Sequence, residues 1–160
     1  MKKQKISFEV SIYDSMEELL HKEKKLMQFA IGAREKAYAP YSGFRVGSAV
    51  LLENGKIVTG NNQENAAYPS GLCAERVALF YAGAKYPGVT IKKIAITAAS
   101  EKSIVDKPVA PCGSCRQAIS EYEIKQESSI SLLFMGEQGK VIQCNAMADI
   151  LPLAFSSNNL

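Results

Sequence analysis

The sequence predicts a three-layer α/β/α sandwich built around a mixed sheet of about five strands. Three observations carry that prediction. Strand-like and helix-like segments alternate through the second half of the chain, the pattern of helices laid over both faces of a central sheet. Val89 to Ala98 is apolar and rich in β-branched residues, as a strand buried on both faces is. Asn54-Gly55 sits between two strand-like runs and is a strong hairpin signal, so the first pair is antiparallel and the sheet mixed. At 160 residues and 47% hydrophobic, the chain is long enough for one domain with a real core and too apolar for disorder.

The elements follow in order. Ile6, Phe8, Val10 and Ile12 alternate with Ser7, Glu9, Ser11 and Tyr13, which predicts a strand with one buried face over residues 5–13. Asp14 or Ser15 reads as a helix N-cap, with Glu17 and Glu18 in the first turn. Leu19, Leu20, Leu26, Met27, Ala30, Ile31, Ala33 and Ala37 then keep a helical period to about Tyr38, and the charged stretch His21 to Lys25 is the place for an interruption. Ala39-Pro40-Tyr41-Ser42-Gly43 turns the chain. Phe44 to Leu52 and Lys56 to Gly60 form the hairpin, and Asn61 to Gly71 is a polar loop. Cys73 to Ala84 is an amphipathic helix, and Ala99 to Ala110 is a loop. Pro111 occupies a first-turn position, so Cys112 to about Tyr122 is a helix. Ile130 to Met135 and Val141 to Cys144 are strands joined by Gly136-Glu137-Gln138-Gly139, and Met147 to Leu151 is a short helix stopped by Pro152.

Charge and cysteine usage narrow the function. Nineteen Lys and Arg against 16 Asp and Glu leave +3, too weak a bias for a nucleic-acid partner. No apolar run approaches the length of a membrane helix. The basic Met1 to Lys5 is followed by Ile6-Ser7-Phe8-Glu9-Val10, which is no signal-peptide core, so a cytoplasmic protein is expected. In that compartment four cysteines point to a metal or to buried thiols before disulfides.

Cys73 falls in the first turn of one predicted helix, and Cys112 and Cys115 in the first turn of another. Residues three apart share a helix face, so both sulfurs of Cys112-Gly113-Ser114-Cys115 reach one ion. Helix N-termini favour thiolates. Three protein ligands on zinc leave a fourth position for water. Glu75, two residues from Cys73, lies close to the metal without being a ligand and is placed to move that water's proton. Arg76 and Arg116 follow the cysteines as candidate donors to sulfur, Arg76 the better placed. Spacing alone leaves a structural zinc site or buried thiols open. Candidate fourth ligands are poor, since Cys144 reads as a core residue and His21 as a surface one. A redox pair leaves Cys73-Ala74-Glu75 unexplained.

Cys73-Ala74-Glu75 with Pro111-Cys112-Gly113-Ser114-Cys115 resembles the zinc deaminase signature. Pro40-Tyr41-Ser42-Gly43-Phe44-Arg45-Val46-Gly47, Asn62-Gln63-Glu64-Asn65-Ala66, Cys115-Arg116-Gln117 and Leu151-Pro152-Leu153-Ala154-Phe155 add to it in order. The whole resembles the small homotetrameric cytidine deaminases with three cysteine ligands, over about residues 26 to 157. The resemblance implies zinc on Cys73, Cys112 and Cys115, and hydrolytic attack at C4 of cytidine or deoxycytidine in pyrimidine salvage. It implies that Glu75 moves the proton from water to ring N3 and helps ammonia leave. It further implies Asn62 and Glu64 on the ribose hydroxyl, backbone of Ala74 at the base, Phe44 packed on the base, and Arg76 on the ligand thiolates. Phe155 of a neighbouring subunit would close the pocket, in a homotetramer with active sites at subunit interfaces. Residues 26–160 are then the catalytic domain. Residues 1–25 are an N-terminal extension, expected to add an edge strand or an intersubunit contact. A blasticidin-type deaminase, a polynucleotide editor and a structural zinc module are the competing readings. Asn62, Glu64 and Phe44 favour cytidine over the first, the weak charge opposes the second, and Glu75 opposes the third.

Overall fold

Period-two alternation along the strands assigns each apolar side chain to one face of the sheet. The computed structural model describes residues 1–160, apart from the side chain of Asn158. On β2 (Phe44–Leu52), Val50 and Leu52 face one way and Ala49 the other. In the same way β4 (Ile91–Ser100) separates Ile94 and Ile96 from Ala95, and β5 (Ser131–Met135) separates Leu132 and Phe134 from Leu133 and Met135. The Ala49 face packs on α1 (His21–Arg34) through Leu26, Met27 and Ala30. The Val50 face packs on α2 (Ala74–Lys85) and α3 (Gly113–Gln126) through Ala78, Leu79, Ala82 and Ile119. Both faces are dry, which gives the expected three layers.

The sheet has six strands where about five were expected. With β1 (Ser11–Tyr13), β3 (Ile57–Asn61) and β6 (Val141–Cys144) its order is β1-β6-β5-β4-β2-β3. Only β4 and β5 pair in parallel, so the sheet is mixed. Because β2 is antiparallel to both β3 and β4, those two run in the same direction. Their C-terminal ends open on one side of the sheet with the start of β2 between them. α2 and α3 begin just beyond those ends, the position where open α/β sheets place their sites.

Two glycines set how closely the helices approach. A Cβ on Gly47 would strike the Ala30 carbonyl and Arg34 of α1, and one on Gly60 the Ala74 carbonyl oxygen and Ala78 backbone of α2. Gly60 sits opposite Ser48, one position beyond Gly47, so the two glycines serve opposite faces.

Three expectations change. The strand expected over residues 5–13 contracts to Ser11–Tyr13, and its buried face does not exist. Ile6, Phe8, Val10 and Ile12 are 52%, 53%, 37% and 59% exposed. β1 pairs only with the four-residue β6, which ends at Cys144. There Asp149 Oδ2 accepts from the Asn145 and Ala146 N–H groups and turns the chain away. The helix interruption falls at Leu19-Leu20, not at His21 to Lys25. Ser15 Oγ accepts from Glu17 N and caps a 3-10 turn, and Glu23 then accepts from Leu20 N to start α1 afresh. α1 stops at Arg34, short of Tyr38, because the Tyr38 backbone pairs with the loop after β3.

Candidate metal centre and active site

Cys73 is the N-cap of α2, Cys112 the N-cap of α3, and Cys115 lies in the first turn of α3. Neither cap residue makes a side-chain hydrogen bond to its helix, so the caps take up none of the first-turn N–H groups. The three sulfurs lie within 4.8 Å of one another, with Cys73 Sγ 3.8 Å and Cys115 Sγ 3.5 Å from Cys112 Sγ. Those separations are too long for a disulfide. Two thiolates bound 2.3 Å from one tetrahedral zinc stand about 3.8 Å apart, so the trio fits a single ion.

The electrostatics of the trio are asymmetric. The Cys73 thiol is lowered to about 5, chiefly by a hydrogen bond from Cys115 and, against burial, also by Arg76 and Cys112. The Cys115 thiol is pushed up, since it is the donor of that bond and is buried. A metal bound by all three sulfurs must displace the protons that remain on them. Arg76 Nη2 donates to Cys73 Sγ at 3.6 Å, which is the sulfur contact expected of it. Arg116 does not reach sulfur. Its Nε donates to the Pro111 carbonyl at 2.8 Å and its Nη1 to the Ile150 carbonyl at 2.7 Å, binding the start of α3 to the C-terminal segment.

Glu75 is the second residue of α2 and only 5% exposed. Burial raises its carboxyl, assisted by the Cys73 charge and opposed by its own helical N–H, a Cys115 hydrogen bond and Arg76. Its carboxylate is not among the clustered ligand atoms but hydrogen-bonds with Cys115, one of them. Cys144 is fully buried in the core and His21 is exposed, so neither supplies a fourth ligand.

Residues 62–72 are stitched on both sides. Asn62 N donates to the Val46 carbonyl, Glu64 N to the Tyr38 carbonyl, and Gln63 and Leu72 exchange both backbone bonds. The Asn62 amide accepts from Val46 N at 2.8 Å and donates to the Phe44 carbonyl at 2.9 Å, which leaves one N–H free for a ligand. The Glu64 carboxylate accepts from Tyr41 N, Ser42 N and the Ser42 hydroxyl, so one of about four acceptor positions remains. The Ser42 hydroxyl, and to a smaller extent the two N–H groups, hold that carboxyl below its ordinary range against partial burial.

A cleft of 480 Å³ brings Asn62, Glu64, Cys73 and Arg76 together, with Tyr41 and Tyr68 among its walls. Phe44, Ala74, Glu75 and Phe155 do not line it. Phe44 is half-buried at the start of β2, joined to Asn62 through its carbonyl, and Ala74 is fully buried at the start of α2. Phe155 is 59% exposed, and its carbonyl accepts from Gln117 at 3.0 Å. Three contributors escaped the sequence reading: Ser42, the edge-on Tyr41–Tyr68 pair with ring centroids 6.1 Å apart, and the Arg116 tether. The turn Pro40-Tyr41-Ser42-Gly43 was the available signal for the first two, but its partner lies more than 20 residues away.

The model of the cytidine and deoxycytidylate deaminase zinc-binding region matches residues 20–129. The chain is 37% identical over 137 residues to a cytidine deaminase of Halalkalibacterium halodurans, covering 84% of this chain and 95% of that one. It is 41% identical over 138 residues to a cytidine deaminase of Sporosarcina psychrophila, covering 86% and 93%. The crystal structure of cytidine deaminase from Burkholderia pseudomallei is similar at TM-score 0.72 and 40% identity, covering 86% of this chain and 100% of that chain.

Proposed function

The chain belongs to the zinc-binding cytidine and deoxycytidylate deaminase family, and from that premise we propose that it hydrolytically deaminates cytidine and deoxycytidine, leaving uridine and deoxyuridine and releasing ammonia. The observation that carries this reading is the convergence of three sulfurs, a buried Glu75 and the Asn62/Glu64 pair at one end of the sheet. Cys73, Cys112 and Cys115 hold one zinc per chain. Zinc bound there acts as a Lewis acid and lowers the pKa of a water ligand.

The chain's own groups do the rest. Glu75 is nearly dry and its carboxyl is raised, so it takes one proton from the attacking water and hands it to ring N3, then takes the second from the new C4 hydroxyl and hands it to the departing amine, which leaves as ammonia. The free Asn62 N–H and the remaining Glu64 acceptor position hold a sugar hydroxyl. Phe44 packs on the base and the Ala74 backbone contacts it. Arg76 stabilises the Cys73 thiolate and so tempers the charge of an all-thiolate site.

The active chain is a homotetramer in which Phe155 of the partner subunit closes each pocket. Supporting this, Phe155 is exposed and lies outside the cleft of its own chain, and Phe80, Tyr81 and Tyr38 are also exposed. Residues 26–160 act as the catalytic domain and residues 1–25 as an extension. The protein works in the cytoplasm in pyrimidine salvage; among the described residues no helix is long and apolar enough to cross a membrane.

An ultraviolet assay of cytidine, deoxycytidine, CMP and blasticidin S, run on the wild-type chain and on Glu75→Ala, tests the assignment. We expect turnover of the first two nucleosides and almost none by Glu75→Ala at full zinc content. Turnover of blasticidin S alone, or an active Glu75→Ala, would overturn it.

A further inference from the structure

Ile6, Phe8, Val10 and Ile12 alternate as a strand does, yet all four are exposed and nothing in their own chain covers them. The reason is geometric. β1 is anchored to β6 through Ser11–Tyr13 and by the Tyr13 hydroxyl, which donates to Gln143 Oε1 at 3.0 Å. β6 ends at Cys144, so the ten residues before Ser11 have no partner strand. β1 is also the edge of the sheet, and its outer side is unpaired among the described residues. A strand-patterned arm leading out of an open sheet edge is a template for pairing with another chain.

We propose that residues 3–11 of two copies of this chain pair with each other as an antiparallel ribbon centred on Ser7. Charge and apolar pairing together select that register, since centring on Ile6 also sets Lys3 opposite Glu9 but puts Phe8 opposite Gln4. Centred on Ser7, Lys5 of each copy stands opposite Glu9 of the other, twice over, while Ile6 stands opposite Phe8 on the other face. Opposite charges and aromatic–β-branched pairs directly across a ribbon are favourable. Centring on Glu9 sets the two Glu9 carboxylates against each other, and centring on Phe8 leaves both Lys5 and Glu9 opposite serines. In the Ser7 register Ile6, Phe8 and Val10 from both copies share one face, where the Ile6 and Phe8 side chains of the two copies pack side by side. The contact is isologous, as a two-fold dimer requires.

The other candidate seat for the arm is the 610 Å³ cleft between α1 and the β3 edge, where Phe29 is exposed. Its walls carry Lys25 and Lys36, which repel an arm bearing Lys2, Lys3 and Lys5. In the ribbon Lys5 instead finds Glu9.

Disulfide trapping in the zinc-loaded, full-length protein tests the register. Residues directly opposite in an antiparallel pair have Cα atoms about 4.5–5.5 Å apart, within reach of a disulfide. Ser7→Cys therefore becomes mainly a reducible dimer under mild oxidation. Ser11→Cys does not, because its counterpart stands eight residues along the ribbon, roughly 26 Å away. Glu9→Lys in the Ser7→Cys background removes most of the cross-link, and the exchange Lys5→Glu with Glu9→Lys restores it. Equal trapping of Ser7→Cys and Ser11→Cys, absence of both, or indifference to Glu9→Lys would each overturn the proposal. The readout is independent of deaminase activity.

Discussion

Arg76 directs its Nη2 at Cys73 Sγ, 3.6 Å away and three residues along the chain, so that the cation and a thiol held well below its ordinary range share one helix N-terminus. The contact also raises the guanidinium's own hold on its proton. Groups that bond to metal ligands typically contribute 10- to 100-fold in metal affinity. Arg76→Ala should therefore lower zinc affinity by about that factor while leaving the circular dichroism spectrum intact. Competition with a chelating dye measures it, and an unchanged affinity would refute the role.

Removing a sulfur should act on metal and stability together. Cys112 is exposed at its helix N-cap, so Cys112→Ala removes a ligand without opening a core cavity. Ligand binding stabilises by about 4 kcal/mol at a free concentration a thousand times Kd. A chelator should accordingly lower the Tm of the wild-type protein sharply. It should leave the Tm of Cys112→Ala where it already stands, near that of the metal-free wild type. A second fall on chelation would show that zinc remains without Cys112.

The spacing of Cys73, Glu75, Cys112 and Cys115 made the metal centre legible before any fold was known, because each cluster sits at a helix start that its own neighbours specify. The layers were legible for a related reason, since Val50, Ile94 and Leu132 alternate with Ala49, Ala95 and Leu133. The leading strand was misread because alternation shows which side chains share a face but not whether anything lies beneath it. Ile6 and Phe8 have the pattern without the support, which depends on where β6 ends. The Ser42–Glu64 and Arg116–Ile150 contacts join segments 22 and 34 residues apart, and no local signal encodes such a pairing.

Ser42 should set how acidic a solution the Glu64 carboxylate, proposed above to hold the sugar, tolerates. Its hydroxyl is the main reason the Glu64 carboxyl lies below its ordinary 4.5. A depressed carboxylate keeps its favourable contribution above the unfolded value and loses it as pH falls through the folded one. Without the hydroxyl the folded value climbs back toward 4.5, so the loss begins at higher pH. In Ser42→Ala the KM for cytidine should rise on acidification earlier than in the wild type, with kcat changed less. Carboxyl-carbon NMR should show the Glu64 titration moved upward. Coincident titrations would remove Ser42 from this role.

Gly60 should be intolerant of a single methyl group, and through the site as much as through the fold. Its ideal Cβ would lie 2.7 Å from the Ala74 carbonyl oxygen and 3.0 Å from the Ala78 Cα, both rigid backbone atoms in the first turns of α2. Nothing there can rotate aside, so the helix itself must move. Overpacking of this kind costs about 1–3 kcal/mol. Cys73 caps the same helix, so a shift of α2 also disturbs the 3.8 Å spacing between the Cys73 and Cys112 sulfurs. Gly60→Ala should therefore lose stability in urea and zinc affinity together. Gly32→Ala is the matching control, since that glycine is exposed within α1 and its Cβ would meet nothing within 4 Å. There the better helix propensity of alanine should stabilise by up to about 1 kcal/mol with zinc affinity unchanged. Parallel urea and dye titrations of both variants decide the matter. A Gly60→Ala protein that loses stability but binds zinc as tightly as Gly32→Ala would show that the site tolerates movement of the helix that carries Cys73.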